Sequence, residues 1–161
     1  MLLSDHFTFD ELTATSHVAL QEHNRIVAME FTASLKLVAI MLEEIRLVAG
    51  PLYVHSGFRC AEINGLTPGS AAKSQHMIGQ AADISAYGPC TKESVGRLFE
   101  QTRGVFRAKR ASYGFGQLIR EEKNGQHWVH VSLGAPFRPI DKCGEVMTSK
   151  DGQYEMIEKI V

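Results

Sequence analysis

Apolar and polar residues follow two different periods along this chain, and the periods predict helices and strands. Between about Gln21 and Val48 apolar residues recur at three- and four-residue spacing, which predicts an amphipathic helix. Gly50–Pro51 would end that helix, because neither residue continues it well. A second helix is predicted over residues 91–102, where Thr91 can cap the first turn and three apolar residues share one face: Val95, Leu98 and Phe99.

Shorter apolar runs predict strands at residues 52–56 and 80–85 and a pair of strands within residues 115–133. In that pair Asn124–Gly125 separates two strand-like runs, and this dipeptide is typical of a two-residue hairpin turn. The stretch between the first two strands is rich in small and polar residues, so a loop with about one helical turn is expected there. Residues 141–161 indicate only a last helix or strand.

The hairpin register sorts side chains onto two faces. A two-residue turn places Glu121 opposite Trp128 and on the same face as His130. Glu122 and His127 then lie on the other face. A bulge near the turn would reverse this assignment.

Composition and charge narrow the functional classes. The 161 residues carry a net charge of −1, so bulk electrostatics do not favour nucleic acid as a partner. Charged residues interrupt every apolar run, and the N-terminus lacks the pattern of a signal peptide, so we expect no membrane insertion and no signal sequence. The three cysteines, Cys60, Cys90 and Cys143, are scattered and predict reduced thiols rather than disulfides or a zinc site.

A possible metal site is the chemistry that stands out. His76 and Asp83 lie seven residues apart with glycine and alanine between them, and His130 lies in an apolar strand. Zinc hydrolases use three such ligands and keep one position open. A cation would also remove the cost of the Asp83 charge in its apolar strand. From spacing alone, a catalytic pair or unrelated structural residues remain alternatives.

Three segments together resemble one family. The segments "SGFRCAEIN" (56–64), "SQHMIGQAADI" (74–84) and "HWVHVS" (127–132) resemble the M15 peptidases, which include zinc D-Ala-D-Ala carboxypeptidases and L-alanyl-D-glutamate endopeptidases. The variant is the one typical of phage endolysins and prophage lysis genes. The opening "HFTFDEL" is also similar to this subgroup, so the resemblance spans about residues 3–135.

The resemblance implies roles for individual residues. Three of them match the family's ligands for one Zn²⁺ ion: His76, Asp83 and His130. Arg59 would stabilise the scissile carbonyl oxygen or hold a substrate carboxylate. Ser74 and Gln75 could bind the substrate backbone, and Asn64 would either bind substrate or fix a loop.

The general base is the point at which the chain departs from the family pattern. Many relatives place a carboxylate three residues before the last histidine ligand, and here that position is His127. A histidine can act as a base. The hairpin register favours Glu121 instead, because it shares a face with His130. Glu122 is the third candidate, and all three remain open.

The resemblance implies a fold and a function. We expect one α+β domain over residues 1–161, with a small antiparallel sheet, helices packed on one side and the zinc site on the sheet, as in hedgehog-like and D-Ala-D-Ala-peptidase-like proteins. The expected activity is zinc-dependent cleavage of peptidoglycan stem peptides next to D-amino acids, by a monomer made in the host cytoplasm and acting in the wall after release. A D-Ala-D-Ala dipeptidase-like enzyme and a non-catalytic zinc-containing binding module are the alternatives. Carboxypeptidase and endopeptidase action remain equally open.

Overall fold

The structure is a computed structural model and describes residues 1–109, 115–135 and 140–160. Within these ranges the α-helices are α1 (Phe9–Leu12), α2 (Gln21–Ala28), α3 (Thr32–Ala49), α4 (Ala61–Leu66) and α5 (Lys92–Lys109). Short 3₁₀ helices occur at Val18–Leu20, Met29–Phe31, Gln75–Ile78 and Ile140–Lys142.

The strands form one mixed sheet. They are β1 (Leu52–Ser56), β2 (Ala81–Ala86), β3 (Phe115–Lys123), β4 (Gln126–Leu133), β5 (Glu145–Lys150) and β6 (Gln153–Lys159). Their order is β1-β2-β4-β3-β5-β6, and every neighbouring pair is antiparallel except β3 and β5, which are parallel. The fold is therefore α+β with a mostly antiparallel sheet, as the sequence predicted.

The long helices pack on one face of the sheet. Helices α3 and α5 contact each other, and both contact β2 and β4. Strand alternation turns the apolar side chains Leu118, Val129 and Val131 toward this helix face, where all three are fully buried. The opposite face, here called the open face, carries Glu121 and His130.

The predicted hairpin is confirmed. Asn124 and Gly125 both have positive φ, 50° and 75°, as a two-residue turn of type I′ requires. Glu121 pairs with Trp128 and Glu122 with His127. The only irregularity in this ladder lies at its far end, between Phe115 and Leu118, so the turn region contains no bulge that would exchange the faces.

The long predicted helix is interrupted. The 3₁₀ turn Met29–Phe31 separates α2 from α3. Side chains compete for the backbone there, since the Thr32 hydroxyl donates to the Met29 carbonyl at 2.8 Å and the Ser34 hydroxyl donates to the Phe31 carbonyl at 3.0 Å. The Phe31 ring stacks on Phe58, 5.3 Å between centroids. A three- and four-residue period cannot report such a break, because the period continues across it.

The C-terminal segment forms a second hairpin. Asp151 and Gly152 have φ of 50° and 82° and join β5 to β6. The sheet is thus larger than expected, and β5 attaches to β3 in parallel. Asp-Gly between alternating runs predicts a hairpin as strongly as Asn-Gly does, and this signal was available in the sequence.

Two further features of the fold are the state of the cysteines and the character of the helices. Cys60, Cys90 and Cys143 form no disulfide with one another. Among the helices within the described ranges, none combines the length and apolar character needed to cross a membrane.

Candidate metal centre and substrate groove

Three predicted ligands meet on the open face. Asp83 on β2 pairs directly with His130 on β4, and the His130 Nδ1 lies 2.8 Å from Asp83 Oδ1. His76 reaches the same point from the 3₁₀ helix before β2. Its Nε2 lies 3.4 Å from Asp83 Oδ1 and 3.3 Å from His130 Nδ1. The structure therefore brings His76, Asp83 and His130 together.

Backbone geometry orients the His76 ring. The Ser74 hydroxyl accepts the His76 N–H at 3.3 Å and caps the 3₁₀ helix. Gly79 ends that helix with φ +64°, a left-handed conformation that favours glycine. A hydrogen bond of 2.6 Å joins His76 Nδ1 to the Gly57 carbonyl. Since a carbonyl only accepts, Nδ1 carries the proton and Nε2 presents a lone pair.

Close packing of two backbones explains why the "SGFR" segment has glycine at position 57. A Cβ atom on Gly57 would lie 2.3 Å from the Leu12 carbonyl oxygen, so the close approach of the two backbones excludes any side chain. The Phe58 N–H donates to the same Leu12 oxygen at 2.7 Å. The glycine thus brings its carbonyl to His76 while the chain packs on α1.

The protonation states suit a cation. Burial lowers the pKa of His76, which keeps the imidazole neutral at pH 7. Burial alone would raise the pKa of Asp83, but His76 and His130 outweigh it, and the pKa of Asp83 lies well below its usual range. Two imidazoles and a carboxylate, with donor atoms all within 4.8 Å of one another, form a donor set suited to Zn²⁺.

Arg59 supports this cluster. Its Nη2 donates to Asp83 Oδ2 at 3.1 Å, and its backbone N–H donates to the His76 carbonyl at 3.2 Å. Asp83 therefore turns one oxygen to the histidines and the other to the guanidinium. The buried Arg59 Nε has no partner among the described residues. Arg59 also lines the groove described next, so it lies where a substrate oxygen could reach it.

An open groove of about 750 Å³ runs over the cluster. Its floor includes Ile119 and Trp128, which share the open face with His130. One wall is the loop from Thr67 to Gln75, and the other comes from Asp151–Gly152 and Tyr154 of the C-terminal hairpin. The Lys123 ammonium donates to the Pro68 carbonyl at 2.7 Å and connects hairpin to loop.

The three base candidates lie in different places. Glu121 lines the groove on the same face as His130. Burial, followed by the nearby Asp83 charge, raises the pKa of Glu121. Glu122 and His127 pair across the hairpin on the helix face, with His127 Nδ1 3.9 Å from Glu122 Oε2. Glu121 is therefore the candidate that the structure brings to the cluster.

The remaining predicted site residues are Ser74, Gln75 and Asn64, and they differ in what they contact. Ser74 and Gln75 line the groove, but both also have structural contacts, since Ser74 caps the 3₁₀ helix and the Gln75 amide donates to the Leu133 carbonyl at 3.0 Å. Asn64 is buried, and its amide donates to the Ala71 carbonyl at 3.0 Å. The Ser70 hydroxyl donates to the Asn64 carbonyl at 2.6 Å. Asn64 thus fixes the loop that lines the groove.

Sequence reasoning did not find every groove residue. Tyr154 comes from the segment that had no clear prediction, Trp128 was assigned to a face without a role, and the structure adds Gln117 to the groove. Glu121, Ser149 and Tyr154 are successive neighbours on β3, β5 and β6, so they form one row across the open face. The Asp151–Gly152 signal could have placed Tyr154 in a strand, but not beside Glu121.

The comparison with protein families agrees with this geometry. The family model described as Peptidase M15 matches residues 5–132, which include all three ligand candidates and Glu121. No curated protein matches the chain. The chain therefore belongs to the M15 peptidase family, whose members are zinc-dependent metallopeptidases acting on peptidoglycan or peptides.

Proposed function

We propose that this M15 peptidase is a peptidoglycan hydrolase that binds one Zn²⁺ ion through His76, Asp83 and His130. It cleaves stem-peptide bonds next to D-amino acids. The observation that carries the proposal is the convergence of these three donors beside Glu121 and Arg59 in one open groove. Groups with shifted pKa values cluster at functional sites. Here a neutral histidine, an ionised aspartate and a glutamate of raised pKa lie together.

Each residue has a role in the proposed hydrolysis. Zn²⁺ held by the three ligands supplies Lewis acidity toward the scissile carbonyl and toward water. Glu121 accepts a proton from the attacking water and delivers it to the leaving amine, so that the products are a carboxylate and an amine. The raised pKa of Glu121 suits this role, because burial and the Asp83 charge make its carboxylate a stronger base than an ordinary glutamate.

Arg59 has two tasks in this proposal. Its contact with Asp83 holds the carboxylate in place. Its remaining N–H groups can donate to the scissile carbonyl oxygen or to a substrate carboxylate. The ion pair is largely buried, since the side chains are 12% and 14% exposed, so loss of Arg59 would leave the Asp83 charge poorly compensated.

The groove favours a substrate attached to a polymer. Its walls leave it open, which allows an extended peptide to lie across the cluster with its ends outside. Lys73 and Lys123 line it together with Arg59, and stem peptides carry carboxylates that these cations can attract. This favours peptidoglycan over a free dipeptide, which a closed pocket would bind better.

The biological setting is the finer part of the proposal. The resemblance of "SGFRCAEIN", "SQHMIGQAADI" and "HWVHVS" to endolysin-type sequences supports a role in phage or prophage lysis. In that role the protein is made in the host cytoplasm and acts in the wall after release.

Digestion of purified peptidoglycan tests the proposal. The protein is incubated with walls before and after chelation and after Zn²⁺ is restored, and mass spectrometry identifies the fragments. We expect zinc-dependent release of a new stem-peptide fragment, which also names the bond. Cleavage of D-Ala-D-Ala dipeptide without cleavage of walls would support a dipeptidase. Binding of walls by the zinc-loaded protein without any cleavage would support a non-catalytic module.

A further inference from the structure

A second group of metal-binding side chains lies outside the groove. His23 on α2, Cys60 just before α4 and Glu62 in the first turn of α4 place a nitrogen, a sulfur and a carboxylate oxygen within 4.8 Å of one another. The His23 Nε2 lies 3.2 Å from Glu62 Oε2. In the His76 cluster the donor atoms are 2.8 to 3.4 Å apart, and both groups meet the same limit of 4.8 Å between donor atoms.

The backbone beneath this group is held rigidly. Asn24, next to His23, is fully buried, and its side-chain oxygen accepts the Cys60 N–H at 2.7 Å. Its amide donates to the carbonyls of Thr13 at 2.8 Å and Phe58 at 3.2 Å. One side chain thus links α2 to the turn that carries Cys60. The separation between the His23 and Cys60 backbones is therefore set by the fold, not by flexible side chains.

The three side chains of this group differ in their exposure to solvent. The Cys60 residue is 2% exposed, whereas the side chains of His23 and Glu62 are 48% and 55% exposed. A cation can reach the group from solvent past the two exposed ligands and meet the thiol beneath them. Imidazole, thiolate and carboxylate together suit a borderline or soft divalent ion such as Zn²⁺ or Co²⁺ rather than Mg²⁺ or Ca²⁺.

We propose that His23, Cys60 and Glu62 form a second site for a divalent transition-metal ion. The bound ion ties α2 to the start of α4, one residue from Arg59. Metal binding releases the thiol proton of Cys60 to solvent, and the thiolate then completes the ligand set. This site is independent of the proposed hydrolysis, because none of its ligands lines the groove.

Titration of the metal-free protein with Co²⁺ tests the proposal. A thiolate bound to Co²⁺ gives a charge-transfer band in the near ultraviolet, and the His76 cluster contains no sulfur. We expect this band in the native protein and its loss in Cys60→Ser. Cys90→Ser and Cys143→Ser are the matched controls and should keep it. The band should also persist in His76→Ala, which separates this site from the proposed catalytic one.

A second variant guards against misfolding of the buried Cys60 substitution. His23→Ala changes an exposed side chain, and it should weaken Co²⁺ binding at this band by roughly tenfold or more, at least as much as loss of an outer-shell partner does. Absence of the band in the native protein would overturn the proposal. Its persistence in Cys60→Ser, or unchanged affinity in His23→Ala, would overturn it as well.

Discussion

The two faces of the β3–β4 hairpin carry similar residues in different surroundings. On the open face Glu121 and His130 lie in the groove beside Asp83. On the helix face Glu122 and His127 lie beyond the apolar positions that α5 covers, near Lys92 at the start of that helix. The two glutamates are adjacent in the chain, so composition and local charge cannot separate them. Their different surroundings follow only from strand alternation.

The comparison of Glu121 with Glu122 shows how burial changes the proton affinity of a carboxylate. Burial and the Asp83 charge raise the pKa of Glu121, which makes it a better base. The Lys150 ammonium lies 3.7 Å from the Glu122 carboxylate. Lys150 is exposed, and ion pairs of this kind contribute little to stability. The proposed role of Glu121 as the base rests on the sheet turning this carboxylate toward a partly desolvated cluster.

The two histidines of β4 should differ most. His130→Ala removes a proposed metal ligand, so we expect activity on peptidoglycan to fall by about 10⁴-fold or more, with loss of bound zinc. His127→Ala is the matched control on the helix face and should keep its activity within about twofold. Peptidoglycan digestion with zinc analysis measures both. A large loss of activity in His127→Ala would identify His127 as the base. It would contradict the assignment of the catalytic residues to the open face.

The two glutamates should differ next. Glu121→Gln keeps the shape of the side chain but cannot accept a proton, so kcat should fall by roughly 10²- to 10⁴-fold while zinc remains bound. Glu122→Gln should change kcat by less than about twofold. Single-turnover rates on a defined stem peptide measure the difference. Equal losses in the two variants would exclude the assignment by strand face.

The pH dependence should carry the signature of Glu121. Because its pKa is raised, the acid limb of kcat/KM should have its midpoint above 4.5, the ordinary value for this carboxyl group. Activity is lost as the pH falls through that midpoint, since the protonated carboxyl cannot accept a proton. A midpoint below 4.5 would contradict the burial of the base.

Stability provides a separate check on the same carboxyl. In the metal-free protein the ionised form of Glu121 disfavours the folded state, because its pKa is higher folded than unfolded. The contribution of Glu121 to stability should therefore fall as the pH rises from about 4.5 through the raised value. Glu121→Gln should lessen this fall, and Glu122→Gln should not. Chemical unfolding in the presence of chelator measures it, and identical pH dependence in both variants would refute the effect.

The smallest expected effect concerns the C-terminal hairpin. Tyr154 lines the groove in the same row as Glu121, so Tyr154→Ala should raise KM by several-fold with little change in kcat. Tyr154→Phe tests whether the hydroxyl or the ring is responsible. Glu155→Ala is the control, because Glu155 lies in the row of Arg120 and Thr148, which strand alternation turns to the other face. An unchanged KM in Tyr154→Ala would remove β6 from the substrate surface.

Much of the fold was readable from local signals. The Asn124–Gly125 turn, the strand alternation around it and the helix over α5 depend on residues close in sequence, and local geometry is enough to specify them. The C-terminal hairpin has an equally local signal at Asp151–Gly152. By contrast, the three- and four-residue period continues across Met29–Phe31, so this pattern did not predict the break that the structure shows there.

The sequence by itself determined the chemistry of the candidate site. Residue types and spacing raise the possibility of a metal cluster, the resemblance to the M15 peptidases implies its three ligands, and the hairpin register predicts that Glu121 shares its face. Only the tertiary structure decided how the cluster is supported: Gly57 against Leu12, Arg59 on Asp83, and Tyr154 beside the row of Glu121. These contacts join segments far apart in the chain. They arise from packing between elements, whereas turns and faces arise from the backbone geometry of neighbouring residues.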